Sequence, residues 1–356
     1  MVRLRKTPRL RGARGEVLAG SIAETVYRRI GGTDQWTMIR GESIANPALI
    51  MLQGGPGMSE TSLFRYANAP LERSFTVVYW DQRGAGRSYH RDIPRSSMTV
   101  EQFLSDLDEL VDATRERLGR TKVAIFGHSW GSALGPLYAR RFPEKVDAYI
   151  GSGRVGDWAA AERASYAFAL AEARRGGKKR AARRLEAIGP PPHTAKELWI
   201  QRNELSRLEG RMRPRELWKL ARAALSESSI LELPRLFRGL RFSLEAMWEE
   251  VSSLNLLELA PSLEVPVFLL LGREDHWVPA EISRAYFEAL AAPSKELLWF
   301  ERSGHEPFAD EPDKFNIAMA ELVRPVLLQR PSSGSAERRR GRGIPSYERI
   351  LEPVTV

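Results

Sequence analysis

Apolar and polar residues follow one another along this chain in two alternating rhythms, and glycine, proline or aspartate stands at most of the changeovers. Ala48–Leu52 (ALIML) is an unbroken apolar run closed by Gly54-Gly55-Pro56-Gly57. Phe75–Trp80 is β-branched and aromatic and stops at Asp81, while Lys122–Phe126 runs straight into Gly127-His128-Ser129-Trp130-Gly131. With Val146–Ile150, Val265–Leu271 and Glu296–Phe300, these short runs bounded by turn residues predict buried strands. Between them the period lengthens. Thr99 caps a predicted helix reaching Leu118, with Phe103, Leu104, Leu107, Leu110 and Val111 on one face. Ser132–Phe142, Ala280–Leu290 and Asp310–Val326 read as further helices.

From about Val155 to Val251 the sequence is rich in Ala, Arg, Leu and Glu at helical spacing and offers no good strand. Apolar strands alternating with amphipathic helices predict an α/β fold, a mostly parallel doubly wound sheet, here with a helical lid inserted into it. The expected organisation is a basic, disordered tail over residues 1–15, a first part of the core over 16–153, the lid over 154–252, a second part of the core over 253–330, and a second basic, disordered tail over 331–356.

Composition narrows the function classes. No apolar run approaches the ~20 residues of a membrane helix, and no apolar segment of signal-peptide length follows the basic N-terminus. The chain has no cysteine, which removes disulfides, thiolate metal sites and a cysteine nucleophile, and fits a cytoplasmic location. The formal net charge of +9 would suggest nucleic acid if it were spread over the fold. It is not: Arg3, Arg5, Lys6, Arg9, Arg11 and Arg14 precede the first acid, and another basic cluster follows Pro331. The body between is close to neutral, so neither nucleic acid nor a membrane is an expected partner.

The candidate chemistry begins at Gly127-x-Ser129-x-Gly131, placed between a strand and a helix. A serine on so sharp a turn needs small neighbours, and the turn exposes its hydroxyl near a helix N-terminus. A serine hydroxyl needs a base. Of the five histidines, His128 shares the tight turn, His90 and His193 lie in loops elsewhere, and His276 neighbours a candidate acid. His305 follows the last strand and is the expected base. Asp275, in Gly272-Arg273-Glu274-Asp275 directly after Leu271, is the expected acid, with Glu274 as the fallback. The order Ser129, Asp275, His305 is that of an α/β-hydrolase fold. The oxyanion donors are then the N–H groups of Trp130 and of Gly55, in a Gly-rich loop that lacks any phosphate-binding signature. No cofactor is called for, and no metal-ligand spacing is present.

Gln53-Gly54-Gly55-Pro56-Gly57, the stretch Asp81-Gln82-Arg83-Gly84-Ala85-Gly86-Arg87-Ser88, Ser129-Trp130-Gly131-Ser132, and Gly272-Arg273-Glu274-Asp275 followed by Pro279 together resemble the proline iminopeptidase family of serine peptidases. The resemblance runs from about Tyr27 to Arg324 and is weakest in the lid. It implies the fold and triad above, an aminopeptidase activity on a short peptide or small molecule, and lid carboxylates that hold the substrate's free amine. Glu162, Glu204 and Glu209 are the candidates for that role, with Gly54 beside them as a substrate-binding position. The chain departs from the family pattern at Gln53, where His is usual, and at Glu274, where Tyr is usual. An esterase, amidase or lactonase on a small acyl substrate is the alternative, with Trp158, Trp199, Trp218 and Trp248 as candidate pocket walls. A non-catalytic ligand-binding homologue is the more distant one.

Overall fold

The computed structural model describes residues 7–153, 156–211 and 232–329, together with positions 215, 218, 221 and 222. Eight strands form one sheet: β1 (Ile22–Ile30), β2 (Thr33–Gly41), β3 (Ala48–Leu52), β4 (Thr76–Trp80), β5 (Val123–His128), β6 (Val146–Ser152), β7 (Val267–Gly272) and β8 (Lys295–Phe300). Their order is β1-β2-β4-β3-β5-β6-β7-β8. β2 pairs antiparallel with both β1 and β4, and every other pair is parallel.

The unbroken apolar strands are buried on both faces. Leu49, Met51, Val77, Tyr79, Ala124 and Phe126 belong to one core cluster, and their alternating neighbours Ile50, Leu52, Val78, Trp80, Val123 and Ile125 to the other. The first face is covered by α1 (Thr61–Asn68), through Phe64, and by the C-terminal segments, through Phe308, Phe315 and Met319. The second is covered by α2 (Val100–Leu118) and α3 (Trp130–Arg141). Thr99 caps α2 as expected, its side chain accepting from the Gln102 N–H.

Between β6 and β7 the described residues form helices only: α4 (Trp158–Arg175), α5 (Lys179–Ile188), α6 (Ala195–Leu208), and the segments Leu233–Ser252 and Leu256–Leu259. α4, α5 and α6 share a small core of their own around Tyr166, Ala169, Leu185 and Leu205. The inner sides of α4, α6 and Leu233–Ser252, through Trp158, Leu198, Leu244, Met247 and Trp248, join the main core. No described helix is long and apolar enough to cross a membrane.

Two expectations change. The segment read as one helix from Asp310 to Val326 is broken into Pro307–Asp310, Pro312–Ala318, a wide turn over Met319–Val323, and Arg324–Leu328. Pro312 and Pro325 stand at N-terminal positions of their pieces, where a missing N–H costs nothing. Residues 7–15, expected as a disordered tail, instead fold back. Arg11 bridges Val17, and the buried Arg40 guanidinium donates to the Pro8 carbonyl at 2.6 Å. Arg40 is already held by Glu72 at 2.9 Å, so the chain end supplies acceptors that the buried cation would otherwise lack. The expected C-terminal tail, 331–356, lies outside the described residues.

Candidate active site

The loops at the C-terminal ends of β3, β5, β7 and β8 meet above the sheet, where an open α/β sheet forms its crevice. β5 delivers Ser129 on a turn that only small neighbours allow. A Cβ at Gly127 would stand 2.3 Å from the Gly131 carbonyl oxygen, and one at Gly131 would stand 2.2 Å from that of Leu52. Ser129 itself has φ +50° and ψ −114°, the one non-glycine residue with positive φ among those described. Strained backbone of this kind is kept where the surrounding packing imposes it and a function uses it.

His305 comes from the loop after β8 and Asp275 from the loop after β7. The His305 Nδ1–H donates to Asp275 Oδ2 at 2.9 Å, and the two side chains are 5% and 4% exposed. Asp275 Oδ1 accepts the N–H groups of Trp277 and Val278, each at 2.9 Å. Burial alone would raise the Asp275 pKa; the His305 contact and those two N–H bonds outweigh it and hold the carboxyl below its ordinary value. Glu274 is exposed, and the His305 Nδ1 is engaged by Asp275 instead. The Trp277 indole stacks on the His305 ring, with centroids 5.4 Å apart and planes 20° from parallel.

Ser129 and His305 line a common cavity of about 120 Å³, with Gly55, Glu162, Trp158, Trp199 and Trp248 among its walls. The Gly54 N–H is taken by Glu60 Oε2 at 2.9 Å. The N–H groups of Gly55 and Trp130 make no backbone hydrogen bond among the described residues, and Trp130 opens α3, whose first N–H groups have no partner within the helix. Gln53 holds the loop in shape: its amide donates to Thr61 Oγ1 at 2.9 Å and to the Trp80 carbonyl at 2.8 Å, and accepts from the Glu60 N–H. In the Asp81–Ser88 stretch, Arg83 makes a fully buried bidentate pair with Asp106, and Asp81 accepts from the Arg87 N–H at 2.8 Å. This stretch braces the crevice without lining it.

The three lid carboxylates separate. Glu162, on α4, lines the cavity and is 4% exposed. Its Oε1 accepts from Arg202, while Oε2 has no hydrogen-bond partner within 3.5 Å among the described residues. Burial raises its pKa against the pull of Arg202, of His193 and His305, and of the Trp158 side chain. Glu204 faces a different, surface cavity, where its Oε1 accepts from Arg184 and Arg207 at 2.6 Å each. Glu209 pairs with Arg211 at 3.1 Å; burial pushes its pKa up to about 7, with Asp275 adding to the rise and Arg211 opposing it. Neither Glu204 nor Glu209 is among the cavity's walls. Trp218 is also apart from the cavity, 65% exposed. His276 packs half-buried against Phe168, with centroids 3.7 Å apart.

Sequence reasoning did not single out Glu60, Trp277, Arg202 or Glu306, all of which line the cavity. Trp277 was legible as a neighbour of the candidate acid. Glu306 was legible in the same way, as the residue after the candidate base, while Glu60 and Arg202 carried no signal because each depends on a contact made across the fold.

The model of the α/β-hydrolase fold family matches residues 47–312. A probable aminopeptidase of Bacillus subtilis (strain 168), YbaC, is 32% identical over 314 residues, 85% of this chain and 97% of that protein. A proline iminopeptidase of Saccharolobus solfataricus is 32% identical over 129 residues, 36% of this chain and 39% of its own length. Among solved structures, a proline iminopeptidase-related protein from Thermus thermophilus superposes with TM-score 0.55 at 22% identity, covering 86% of this chain and 99% of that one. An esterase from Rhodococcus sp. ECU1013 does so with TM-score 0.56 at 18% identity, covering 86% and 98%. The structural likeness is one of fold, but the family match spans both parts of the sheet and the lid between them, and the chain belongs to the α/β-hydrolase fold family.

Proposed function

We propose that the protein is a serine hydrolase that cleaves acyl bonds through a covalent acyl-enzyme, and that it is an aminopeptidase of proline iminopeptidase type. Ser129 Oγ attacks the carbonyl carbon and its proton passes to His305 Nε2. Asp275 fixes the imidazole tautomer and stabilises the cation. The oxyanion faces the N–H groups of Trp130 and Gly55. Collapse breaks the bond to the leaving group, which takes its proton from His305, and water then releases the acyl group with the same base.

The observation that carries the aminopeptidase reading is Glu162. Its Oε2 is buried in the cavity wall with no hydrogen-bond partner within 3.5 Å among the described residues, and only the Trp158 side chain is near the group besides its cations. A carboxylate oxygen so placed is costly unless a further cation arrives to meet it. The ammonium of an unblocked N-terminal residue has that charge and those donors. The cavity's size agrees: about 120 Å³ is somewhat below the ~150 Å³ that accommodates a benzene ring, the scale of one small aminoacyl group.

The test is a pair of chromogenic prolyl substrates, one with a free and one with an acetylated amine. The free form should have the higher kcat/KM by ~10²-fold or more, because acetylation removes the charge and leaves Glu162 unmet. Glu162→Gln should remove most of this discrimination, while Glu204→Gln and Glu209→Gln should leave it within a few-fold. A second reading, an esterase of small acyl groups, is favoured by the Arg202 contact that already satisfies Glu162 Oε1 and by the tryptophans Trp158, Trp199 and Trp248. Faster turnover of the blocked substrate or of a plain acyl ester would select it.

A further inference from the structure

His128 stands beside the proposed nucleophile in the wall of the cavity, yet both of its ring nitrogens are engaged in buried polar contacts. The side chain is 2% exposed. Its Nδ1 lies 2.8 Å from Glu60 Oε1, and its Nε2 lies 3.0 Å from the backbone carbonyl of His305. Both ring nitrogens therefore face oxygen acceptors, and a ring with a single proton can satisfy only one of them. The other oxygen of Glu60 accepts from the Gly54 N–H, in the loop that carries Gly55. One buried pair thus ties the oxyanion loop after β3 to the backbone of the base itself.

We infer that His128 and Glu60 are positioning residues, and that full activity requires His128 to hold both ring protons so that its Nε2–H grips the His305 carbonyl. The inference rests on the serine-hydrolase reading above. The charged groups facing His128 are Glu60 from the loop after β3 and Glu306 from the base loop, the latter itself paired with Arg211 at 2.6 Å. The His305 ring lies against it with centroids 4.9 Å apart, and Phe308 closes the remaining side edge-on at 5.0 Å. Burial on its own would drive the His128 proton off. Glu60 outweighs this, with Glu306 and the His305 carbonyl adding to it, and the pKa is raised to about 9.

The consequence has a definite sign. Below about pH 9 the doubly protonated ring bonds both loops. Above it one proton leaves, and the remaining proton stays with the carboxylate, the stronger acceptor. The grip on the His305 carbonyl is then lost, Nε2 presents a lone pair to that oxygen, and the base loop is repelled. Misplacement of a base by ~1 Å costs up to ~10²-fold in rate.

Two measurements test this. In wild-type protein labelled with ¹⁵N-histidine, NMR at about pH 8 should show one imidazole with both N–H groups, losing one near pH 9; a His128 ring with a single proton at that lower pH would overturn the inference without any variant. The second is the pH profile of inactivation by a fluorophosphonate, which reads the serine and base whatever the natural substrate. The wild-type rate should fall above about pH 9. Glu60→Gln should lower the midpoint of that fall by about two pH units, and kcat should drop ~10-fold or more with KM within ~2-fold. His128→Gln should lose the limb altogether. A limb that stays where it was in both variants overturns the positioning role and leaves the hydrolase reading standing. Wild-type protein that fluorophosphonate never modifies overturns both.

Discussion

Replacing Ser129 by alanine should leave folding intact and lower turnover by ~10⁴-fold or more. Every other element of the proposed reaction depends on this hydroxyl, since the chain has no cysteine to substitute for it. The fold should tolerate the change because the Ser129 side chain caps nothing: α3 has no side-chain cap at that position, and the links of the turn run through the Ser129 backbone. Its N–H donates to the Ser152 carbonyl at 3.1 Å, and its carbonyl accepts from the Ser132 N–H at 2.9 Å. Alanine also bears the strained φ of +50° no worse than serine does. The measurement is kcat/KM on any turned-over substrate, together with fluorophosphonate labelling of parent and variant and a thermal melt of each. Labelling that persists in the alanine variant would place the nucleophile elsewhere.

The parts of this molecule that a sequence reveals are those in which one stretch of chain dictates its own structure. The six strands read as apolar runs all form, most with ends shifted by one or two residues. A strand buried on both faces, as the five inner ones largely are, needs little but apolar side chains, and the edge strand β8 buries only Leu298 and Phe300. β1 and β2 were not legible in this way. β2 carries Gln35, Thr37 and Arg40 as buried residues, and these polar positions break the hydrophobic pattern. They are tolerated because each is met across the fold. The Gln35 amide donates to Asp106 at 2.7 Å and accepts from the Trp80 indole at 2.8 Å, the Thr37 hydroxyl donates to the Val26 carbonyl at 3.2 Å, and Arg40 pairs with Glu72. The signal that was available is Gly31-Gly32, whose φ values of +52° and +75° make the tight hairpin turn between the two strands.

The same distinction separates the residues of the site. Ser129, Asp275 and His305 each stand at a strand end in a short, recognisable segment, and their chain order identifies the fold that would bring them together. Glu162 stands in a helix with several other glutamates nearby in the lid, and only the three-dimensional packing shows that it lines the cavity while Glu204 points to a separate surface cleft. His128 was visible as a neighbour of the serine, but its two acceptors are 68 and 177 residues away in the chain. Contacts of that span leave no local trace in sequence.

The second large effect is expected at Asp275, and the hydrogen bonds fix its direction. In Asp275→Asn the new amide must choose an orientation. Its oxygen is held at the position of Oδ1 by the N–H groups of Trp277 and Val278, which need an acceptor. The –NH₂ group is then forced toward His305 Nδ1, where the parent carboxylate accepts at 2.9 Å. A donor at that point requires the imidazole to offer a lone pair on Nδ1, so its proton moves to Nε2. The nitrogen that should take the proton of Ser129 is then already protonated. Turnover should fall by ~10³- to 10⁴-fold near neutral pH with the fold preserved, because the geometry is kept and only the tautomer is wrong. Glu274→Gln should change kcat/KM by no more than a few-fold, since that side chain is exposed and His305 Nδ1 is held by Asp275. The check is kcat/KM for both variants on one substrate, with the ¹⁵N imidazole resonances of His305 reporting which nitrogen holds the proton. A Glu274 variant slower than the Asp275 variant would move the acid by one residue. An Asp275→Asn protein that keeps its proton on Nδ1 and its activity would show that the imidazole is oriented by something other than this carboxylate.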